Sequence, residues 1–447
     1  MSAECESAQY EWLDDRFPGR ARPVGFYPLP TMRSDVPFDP DWIERDVDDR
    51  VRLLYVHVPF CNQRCHYCRF YPGPNSRGIE LQFIDGAAAQ LAWWASVLAD
   101  KPVVLAAAFL GGGSPSALSP GSIAALFDAI RNRFTLAPDA EITMEWYPAD
   151  RDADKVDIAI AHGVSRFSVG AQSWNAEVLD SLGCHHHPHQ VDDVLAMLRG
   201  REAVNINVDL MCNVPGQSLN DHLADVRRAA SMGAAMISTN ILELAAGTPY
   251  SLTGRTESGP ADKRGWLCDI SRELHRLGYT NQRTRNFYRD QWFHRYNRYC
   301  RGVDFDIIPI GPGAYGTVAD MPVISSPDRA SWQRQAGDGA ISGYGRATDG
   351  ELRRAFIVNS LLELELDGDA YARRFGSAVF DDFPLLAELR DRKILRGNGS
   401  AWRLTRPGIE FTDDINVAIY SDVQRDLFTR HLRLRRSKHQ SQYFPVS

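Results

Sequence analysis

Val56-His57-Val58-Pro59-Phe60-Cys61-Asn62-Gln63-Arg64-Cys65-His66-Tyr67-Cys68 carries the reading of the whole chain. An apolar run of strand length at residues 53–59 leads straight into three cysteines spaced C-x3-C-x2-C. Thiolates are soft ligands, suited to iron–sulfur clusters. Structural zinc usually takes four protein ligands, and no fourth Cys or His stands in convincing register here. A disulfide framework belongs to small secreted domains, and the remaining cysteines, Cys5, Cys184, Cys212, Cys268 and Cys300, are scattered. The loop is therefore expected to hold a [4Fe–4S] cluster on Cys61, Cys65 and Cys68, with one iron left open.

Outward from this loop the pattern repeats. Apolar runs rich in Val, Ile and Phe recur at residues 103–110, 141–146, 166–171, 204–211 and 236–244. Between them, stretches such as 79–98, 123–134 and 219–232 show helical apolar spacing. The strand runs alternate only partly, as expected when both faces of a parallel sheet are covered. Six strand–helix units predict an α/β fold, a partial (β/α)6 TIM-like barrel over residues 51–320. In such folds chemistry gathers at the C-terminal ends of the strands. Another strand-like run at 305–310 ends in Gly311-Pro312-Gly313-Ala314-Tyr315-Gly316.

Residues 321–348 read as a linker. From 349 to 447, helical segments at 351–363 and 383–391, a hairpin around Asn398-Gly399 and a final helix near 414–432 predict an accessory helical domain of winged-helix character. Residues 1–50, with Trp12, Phe17, Phe26, Tyr27 and Trp42, hold too many aromatics for a disordered arm and are expected to wrap the barrel mouth.

Composition narrows the class. The 447 residues are 44% apolar and 24% charged, with a net charge of −7. That balance offers no electrostatic case for nucleic acid or anionic membranes. No run reaches the ~18 apolar residues that span a bilayer, and the acidic start lacks the apolar core of a secretory signal. A cytoplasmic protein is expected.

An open iron can chelate S-adenosylmethionine (SAM) through its amino and carboxylate groups. One-electron reduction then yields a 5′-deoxyadenosyl radical, chemistry of the cofactor that the protein positions and shields. Gly111-Gly112-Gly113-Ser114-Pro115-Ser116, at the end of the second predicted strand, lets backbone approach such a ligand without side-chain obstruction. Further segments follow in order: Glu141-Ile142-Thr143-Met144-Glu145, Gly163-Val164-Ser165-Arg166-Phe167-Ser168-Val169-Gly170-Ala171-Gln172-Ser173, Asn207-Val208-Asp209-Leu210 and Pro215-Gly216-Gln217. Through these the chain resembles the oxygen-independent coproporphyrinogen III oxidase-like branch of the radical SAM superfamily over residues 51–320. The C-terminal part is similar more loosely, through Leu404-Thr405-Arg406-Pro407-Gly408.

The resemblance implies that Tyr55, Gly112 and Glu145 contact the cluster-bound SAM. It also implies that Tyr67, Gly113, Ser114, Gln172, Asp209, Ala246 and Tyr315 line a pair of SAM molecules. Three departures qualify it. Cys184, in Leu182-Gly183-Cys184-His185-His186-His187, stands where the branch commonly has an Arg near the SAM carboxylate; it is either a functional thiol or a small apolar filler. Tyr296-Asn297 stands where heme chaperones of the branch have His-Asn, with His294 close by. The loop Arg69-Phe70-Tyr71-Pro72-Gly73 lacks the extra cysteine of true coproporphyrinogen oxidases.

Two other features have open readings. The three histidines with His189 read as a solvated helix entry, because consecutive residues cannot face one point. The aromatic and Arg-rich residues 287–299 either wall a pocket for a flat substrate or form a packed connector. The leading expectation is a class C-like methyl or methylene transfer to an sp2 carbon of a small molecule. Asp209 and Cys184 are the candidate catalytic groups, two SAM molecules bind, and flavodoxin or ferredoxin supplies electrons. The alternatives are dehydrogenation of coproporphyrinogen III or another tetrapyrrole transformation, and heme carriage without turnover.

Overall fold

The computed structural model describes residues 3–17, 27–28, 38–43, 50–68, 73–98, 103–201, 204–242, 248–253, 260–398 and 400–427. Helix α1 (Ala3–Arg16) precedes β1 (Val51–Val58), after which helices and strands alternate. They are α2 (Arg77–Val97), β2 (Val104–Gly112), α3 (Pro120–Arg131), β3 (Thr135–Trp146), α4 (Ala153–Ala161) and β4 (Arg166–Gln172). Next come α5 (Ala176–Leu182), α6 (Pro188–Arg199), β5 (Asn205–Cys212), α7 (Leu219–Ser231) and β6 (Met236–Ile241). Short polar side chains start the helices where the loops leave the sheet. Ser119 accepts from the Ser122 N–H before Pro120, and Ser218 forms a reciprocal box with Asp221.

β1 to β6 pair in parallel and in chain order, so the expected partial barrel is the observed fold. Each strand splits by period two. Leu54, Val56, Leu110, Met144, Val169 and Val208 face the helices in one apolar core. The alternate residues Tyr55, Phe109, Thr143, Arg166, Ser168, Asn207 and Asp209 line the lumen, aligned by the strand register.

The sheet continues beyond the six strands. α8 (Pro260–Arg276) leads to a hairpin of β7 (Thr280–Arg283) and β8 (Asn286–Tyr288), which extends the β6 edge. After α9 (Arg295–Tyr299), β9 (Phe305–Ile310) pairs in parallel with the free side of β1. β10 (Tyr315–Val318), β11 (Met321–Ser325) and, past α10 (Arg329–Gln335), β12 (Ile341–Tyr344) follow antiparallel. Residues 321–348 thus carry β11, α10 and β12 rather than a linker: β11 is buried throughout and satisfies its backbone in the ladder.

Arg50 pins this extension. Its guanidinium donates to Asp306 at 2.8 Å, to Asp320 at 2.8 Å and to the carbonyls of Val303 and Phe305 at 3.0 and 2.8 Å. The Arg50 and Asp306 side chains are only 3% and 4% exposed. Removing one partner of a buried pair strands the other, so Asp306→Ala is expected to cost about 3–5 kcal/mol, read as a lower unfolding midpoint. Asp320→Ala, at a carboxylate 23% exposed, should cost clearly less. Equal losses would contradict this account of the pair.

Residues 287–299 sit at the N-terminal ends of the strands, opposite the mouth. Asn205 donates to the Trp292 carbonyl at 3.3 Å, Glu141 accepts the Tyr296 N–H at 3.1 Å, and the His294 ring lies 3.5 Å from Thr143 Oγ1. The stretch is a packed plug and not a substrate wall at the mouth, because β8 runs antiparallel to β6 and so delivers the chain to the barrel floor.

The C-terminal unit comprises α11 (Asp349–Leu362), β13 (Glu365–Asp367), α12 (Gly368–Phe375), α13 (Val379–Asp382) and α14 (Pro384–Asp391). It ends with β14 (Leu395–Asn398), β15 (Ala401–Leu404), α15 (Arg406–Glu410) and α16 (Thr412–Ile419). Its three strands form a separate antiparallel sheet. The expected final helix is interrupted: α16 stops before Tyr420, and another helical turn covers 422–427. Helix α1 belongs to this unit, with Leu13 and Phe17 in its core and Tyr10 donating to Glu410 at 2.6 Å. Phe38 meets Tyr344 of β12 edge-on and Trp42 packs against it at a tilt. These parts of residues 1–50 therefore do not wrap the mouth. Apolar partners were available elsewhere, and aromatic content alone cannot name them.

Candidate active site

The cysteine loop leaves β1 at the barrel mouth and is tied down by backbone on all sides. Cys61 N–H donates to the Gly73 carbonyl at 3.3 Å and Cys68 N–H to that of Cys65 at 3.2 Å. His66 N–H donates to the Leu182 carbonyl at 2.8 Å, while the His66 carbonyl accepts from Tyr250 N–H at 2.9 Å. The His66 ring lies flat against Gly183, whose φ is +64°; a Cβ there would stand 2.3 Å from the ring. Only glycine allows that approach. Cys184, the next residue, is thereby brought into the buried apolar group against which Cys65 and Tyr67 pack.

The glycine turn crosses directly beneath. Gly113 N–H donates to the Val58 carbonyl at 2.8 Å and Ser114 N–H to that of Phe60 at 2.9 Å. Gly112 N–H donates to Glu145 Oε2 at 3.2 Å. Below, a hydrogen-bonded chain runs across the lumen. Asn286 donates to Ser238 at 2.8 Å, Ser238 to Asn207 at 3.0 Å, Asn207 to Ser168 at 2.8 Å, and Ser168 to Asp209 Oδ2 at 2.6 Å. Tyr67 bridges the two layers: burial, the thiols of Cys184, Cys65 and Cys68, and the Asp209 carboxylate all push its phenol pKa up. Tyr55 Oη and His57 Nδ1 are 2.9 Å apart on the β1 side.

Burial and the neighbouring Asp209 carboxylate push Glu145 up to about 8, against the pull of the Gly112 N–H and Arg166. A carboxyl raised from 4.5 to about 8 binds a proton more tightly folded than unfolded. Its stabilising contribution is therefore complete below about pH 4.5 and is lost as pH rises to about 8. Glu145→Gln is expected to remove that fall from the thermal stability profile of the cofactor-free protein. Parallel profiles for the two proteins would contradict it.

The donor set fits an iron–sulfur cluster with a ligand beside it. Among the described residues no three His, Cys, Asp or Glu side chains converge on one point as around a single ion, whereas a cubane spaces its thiolates by giving each its own iron. Two buried polar atoms at this end, Gln172 Oε1 and Tyr147 Oη, have no protein partner. Gln172 holds a left-handed φ of 62°, a strained conformation for a non-glycine residue at a strand end.

Tyr55, Tyr67, Gly112, Gly113, Ser114, Glu145, Gln172 and Asp209 are thus gathered around the cysteine loop. Ala246 lies outside the described residues. Tyr315 is buried and donates to the Pro28 carbonyl at 3.1 Å. His186 is buried rather than solvated, 2.9 Å from the Ala171 carbonyl, because the turn after Gly183 faces it inward while His185 and His187 stay exposed. His57, Arg166, Ser168 and Asn207 stand in the quoted segments without an assigned role, and Tyr147 lies outside them. Polar residues at every second position of apolar strands were the available signal.

A half-open parallel barrel with a three-cysteine loop after its first strand is the architecture of a radical SAM enzyme, and residues 55–229 match the Radical SAM superfamily model. The heme chaperone HemW of Escherichia coli K12 is 35% identical over 280 residues, covering 59% of this chain and 70% of that protein. Anaerobilin synthase of Escherichia coli O157:H7 is 27% identical over 245 residues, 51% of this chain and 55% of that one. The solved structure of Escherichia coli coproporphyrinogen III oxidase HemN, a radical SAM enzyme, superposes with a TM-score of 0.76 at 21% identity, covering 87% of this chain and 94% of that one. The chain belongs to the coproporphyrinogen III oxidase-like family of the radical SAM superfamily. No helix among the described residues is long and apolar enough to cross a membrane.

Proposed function

We propose that this protein catalyses reductive SAM cleavage and directs the resulting radical at heme or a related tetrapyrrole at the barrel mouth. The observation that carries the reading is the half-buried pair of carboxylates Glu145 and Asp209, within electrostatic reach of each other and, for Asp209, of Tyr67 on the cysteine loop. Bound to Cys61, Cys65 and Cys68, a [4Fe–4S] cluster would supply one electron to a SAM chelated at its open iron, giving methionine and a 5′-deoxyadenosyl radical. The carboxylate of Glu145 and the backbone at Gly112 orient the SAM, and a cationic sulfonium favours ionised Glu145. Gln172 offers its unpartnered oxygen to an amine or hydroxyl. Asp209, which accepts from Ser168, would receive a proton from the substrate. The plug at His294 and Tyr296 keeps the floor closed, so water and substrate share one entrance.

The tetrapyrrole assignment draws on the relatives, one a heme chaperone and one an anaerobilin synthase. Methyl or methylene transfer to an sp2 carbon of a small molecule, with a second SAM along Tyr67, Gly113 and Ser114, is a separate reading that the relatives do not support. Heme carriage without turnover draws less support: His294, its candidate ligand, is 5% exposed at the closed end. Flavodoxin or ferredoxin is the proposed electron donor.

The test is a product assay on anaerobically reconstituted protein with SAM, a strong reductant and heme. 5′-Deoxyadenosine formed in proportion to substrate loss supports the proposal, and accompanying S-adenosylhomocysteine assigns methyl transfer. Heme absorbance changes without either nucleoside product would overturn it in favour of a carrier.

A further inference from the structure

We propose that Asp225, on α7, is a positioning residue for SAM: it holds the bulge at the end of β4 that aims Gln172 at the ligand. It rests on the reading of Gln172 as a SAM contact and adds a residue outside the loops that carry such contacts. Along β4, the step from Val169 to Gln172 advances three residues, while the facing step on β5, from Val208 to Leu210, advances two. The extra residue makes a β-bulge, a device that re-aims a side chain. Gln172 closes the bulge at a φ of 62°. Its amide lies against the face of Gly170, where a Cβ would stand 3.1 Å from Nε2, and its buried Oε1 has no protein partner.

A non-glycine residue persists in this conformation only where its surroundings over-determine it. Just before Gln172, the Ala171 carbonyl accepts from Ser173 N–H at 2.7 Å and lies 2.9 Å from the His186 ring nitrogen. Just after it, both oxygens of Asp225 are engaged: Oδ2 accepts from Ser173 Oγ at 2.5 Å and Oδ1 from Trp174 N–H at 2.9 Å. The Trp174 indole donates to Asp192 of α6 at 2.9 Å, and Arg228 of α7 donates to the same carboxylate at 2.7 Å. Two helices thus fix the two residues that follow Gln172. Asp225 is 3% exposed, so Ser173 and Trp174 cannot swing out without leaving a buried carboxylate short of donors, a costly loss. Gln172 is held between these anchors.

The test is SAM affinity, measured by anaerobic equilibrium dialysis on cluster-reconstituted protein, in a double-mutant cycle of Asp225→Ala with Gln172→Ala. Gln172→Ala should bind SAM roughly tenfold more weakly than wild type, and Asp225→Ala about fivefold to tenfold more weakly. The double variant should match Gln172→Ala alone within about twofold, because Asp225 then has no side chain left to aim. Asp225→Asn should stay within about twofold of wild type: its oxygen serves the Trp174 N–H, and its amide meets a Ser173 hydroxyl that can also accept. Asp225→Ala should lower the unfolding midpoint in both backgrounds, which separates its structural role from positioning. Ser173→Ala, which removes one of the two bonds, stands in if Asp225→Ala fails to fold, and its loss of affinity should likewise vanish beside Gln172→Ala. Losses that multiply in the double variant would overturn the proposal, as would wild-type affinity in Asp225→Ala. A Gln172→Ala protein that binds SAM like wild type overturns the reading of Gln172 as a ligand contact, and the proposal with it.

Discussion

Cys65→Ala is expected to strip the reconstituted protein of most of its iron and to reduce SAM cleavage to background, with little change in folding. The reason lies in the division of labour on the loop. Its path is held by backbone bonds, from His66 N–H to Leu182 and from Tyr250 N–H to His66, which do not involve the Cys65 sulfur. Cys61, Cys65 and Cys68 are all partly exposed, so truncating one removes little buried surface. The stability change should stay within about 1 kcal/mol. Cluster binding, by contrast, depends on each thiolate, since two cannot hold the cubane that three present. Iron content, the brown absorbance and the unfolding midpoint measured on one sample separate these effects. A variant that keeps cluster and SAM cleavage would sink the site assignment as a whole.

Gly113→Ala should lose both stability and activity. A Cβ there would stand 2.2 Å from the Phe60 carbonyl oxygen, 2.7 Å from its carbon and 3.0 Å from its nitrogen. All three atoms are backbone, so no side chain can swing aside. Relief requires pulling apart the crossing that Gly113 N–H and Ser114 N–H make with Val58 and Phe60, and Phe60 is the residue from which the cysteine loop starts. Overpacking of this kind costs about 1–3 kcal/mol or more. A shift near 1 Å in the loop should slow SAM cleavage by roughly a hundredfold. Gly121→Ala is the control: nothing lies within 4 Å of the added methyl, and on α3 it should be neutral or slightly stabilising. If the two variants behave alike, close backbone packing at Gly113 is not what the turn is for.

Much of the site was legible beforehand because its signals are local. The spacing of Cys61, Cys65 and Cys68, the run of glycines at 111–113 and the strand-end positions of Glu145, Gln172 and Asp209 are all read along the chain, and the fold brings them together. The lumen was less legible. Arg166, Ser168 and Asn207 sit in runs whose outward residues are so apolar that the whole segment reads as buried strand. Only the register across β3, β4 and β5 shows that these polar residues face one another. The N-terminal aromatics misled for a related reason, since burial of Leu13 and Phe17 requires an apolar partner but does not specify which.

By itself, the sequence determined the class of fold, the cluster loop and the order in which ligand-facing segments follow it. Short-range spacing and strand–helix alternation are one-dimensional properties and survive being read without coordinates. Tertiary structure alone decided which end of the barrel residues 287–299 close, that residues 321–348 extend the sheet, and that α1 joins the C-terminal core. It also decided that Cys184 joins the buried apolar group against which Cys65 packs. These are contacts between segments distant in the chain, set by strand direction and by which apolar surfaces are left uncovered.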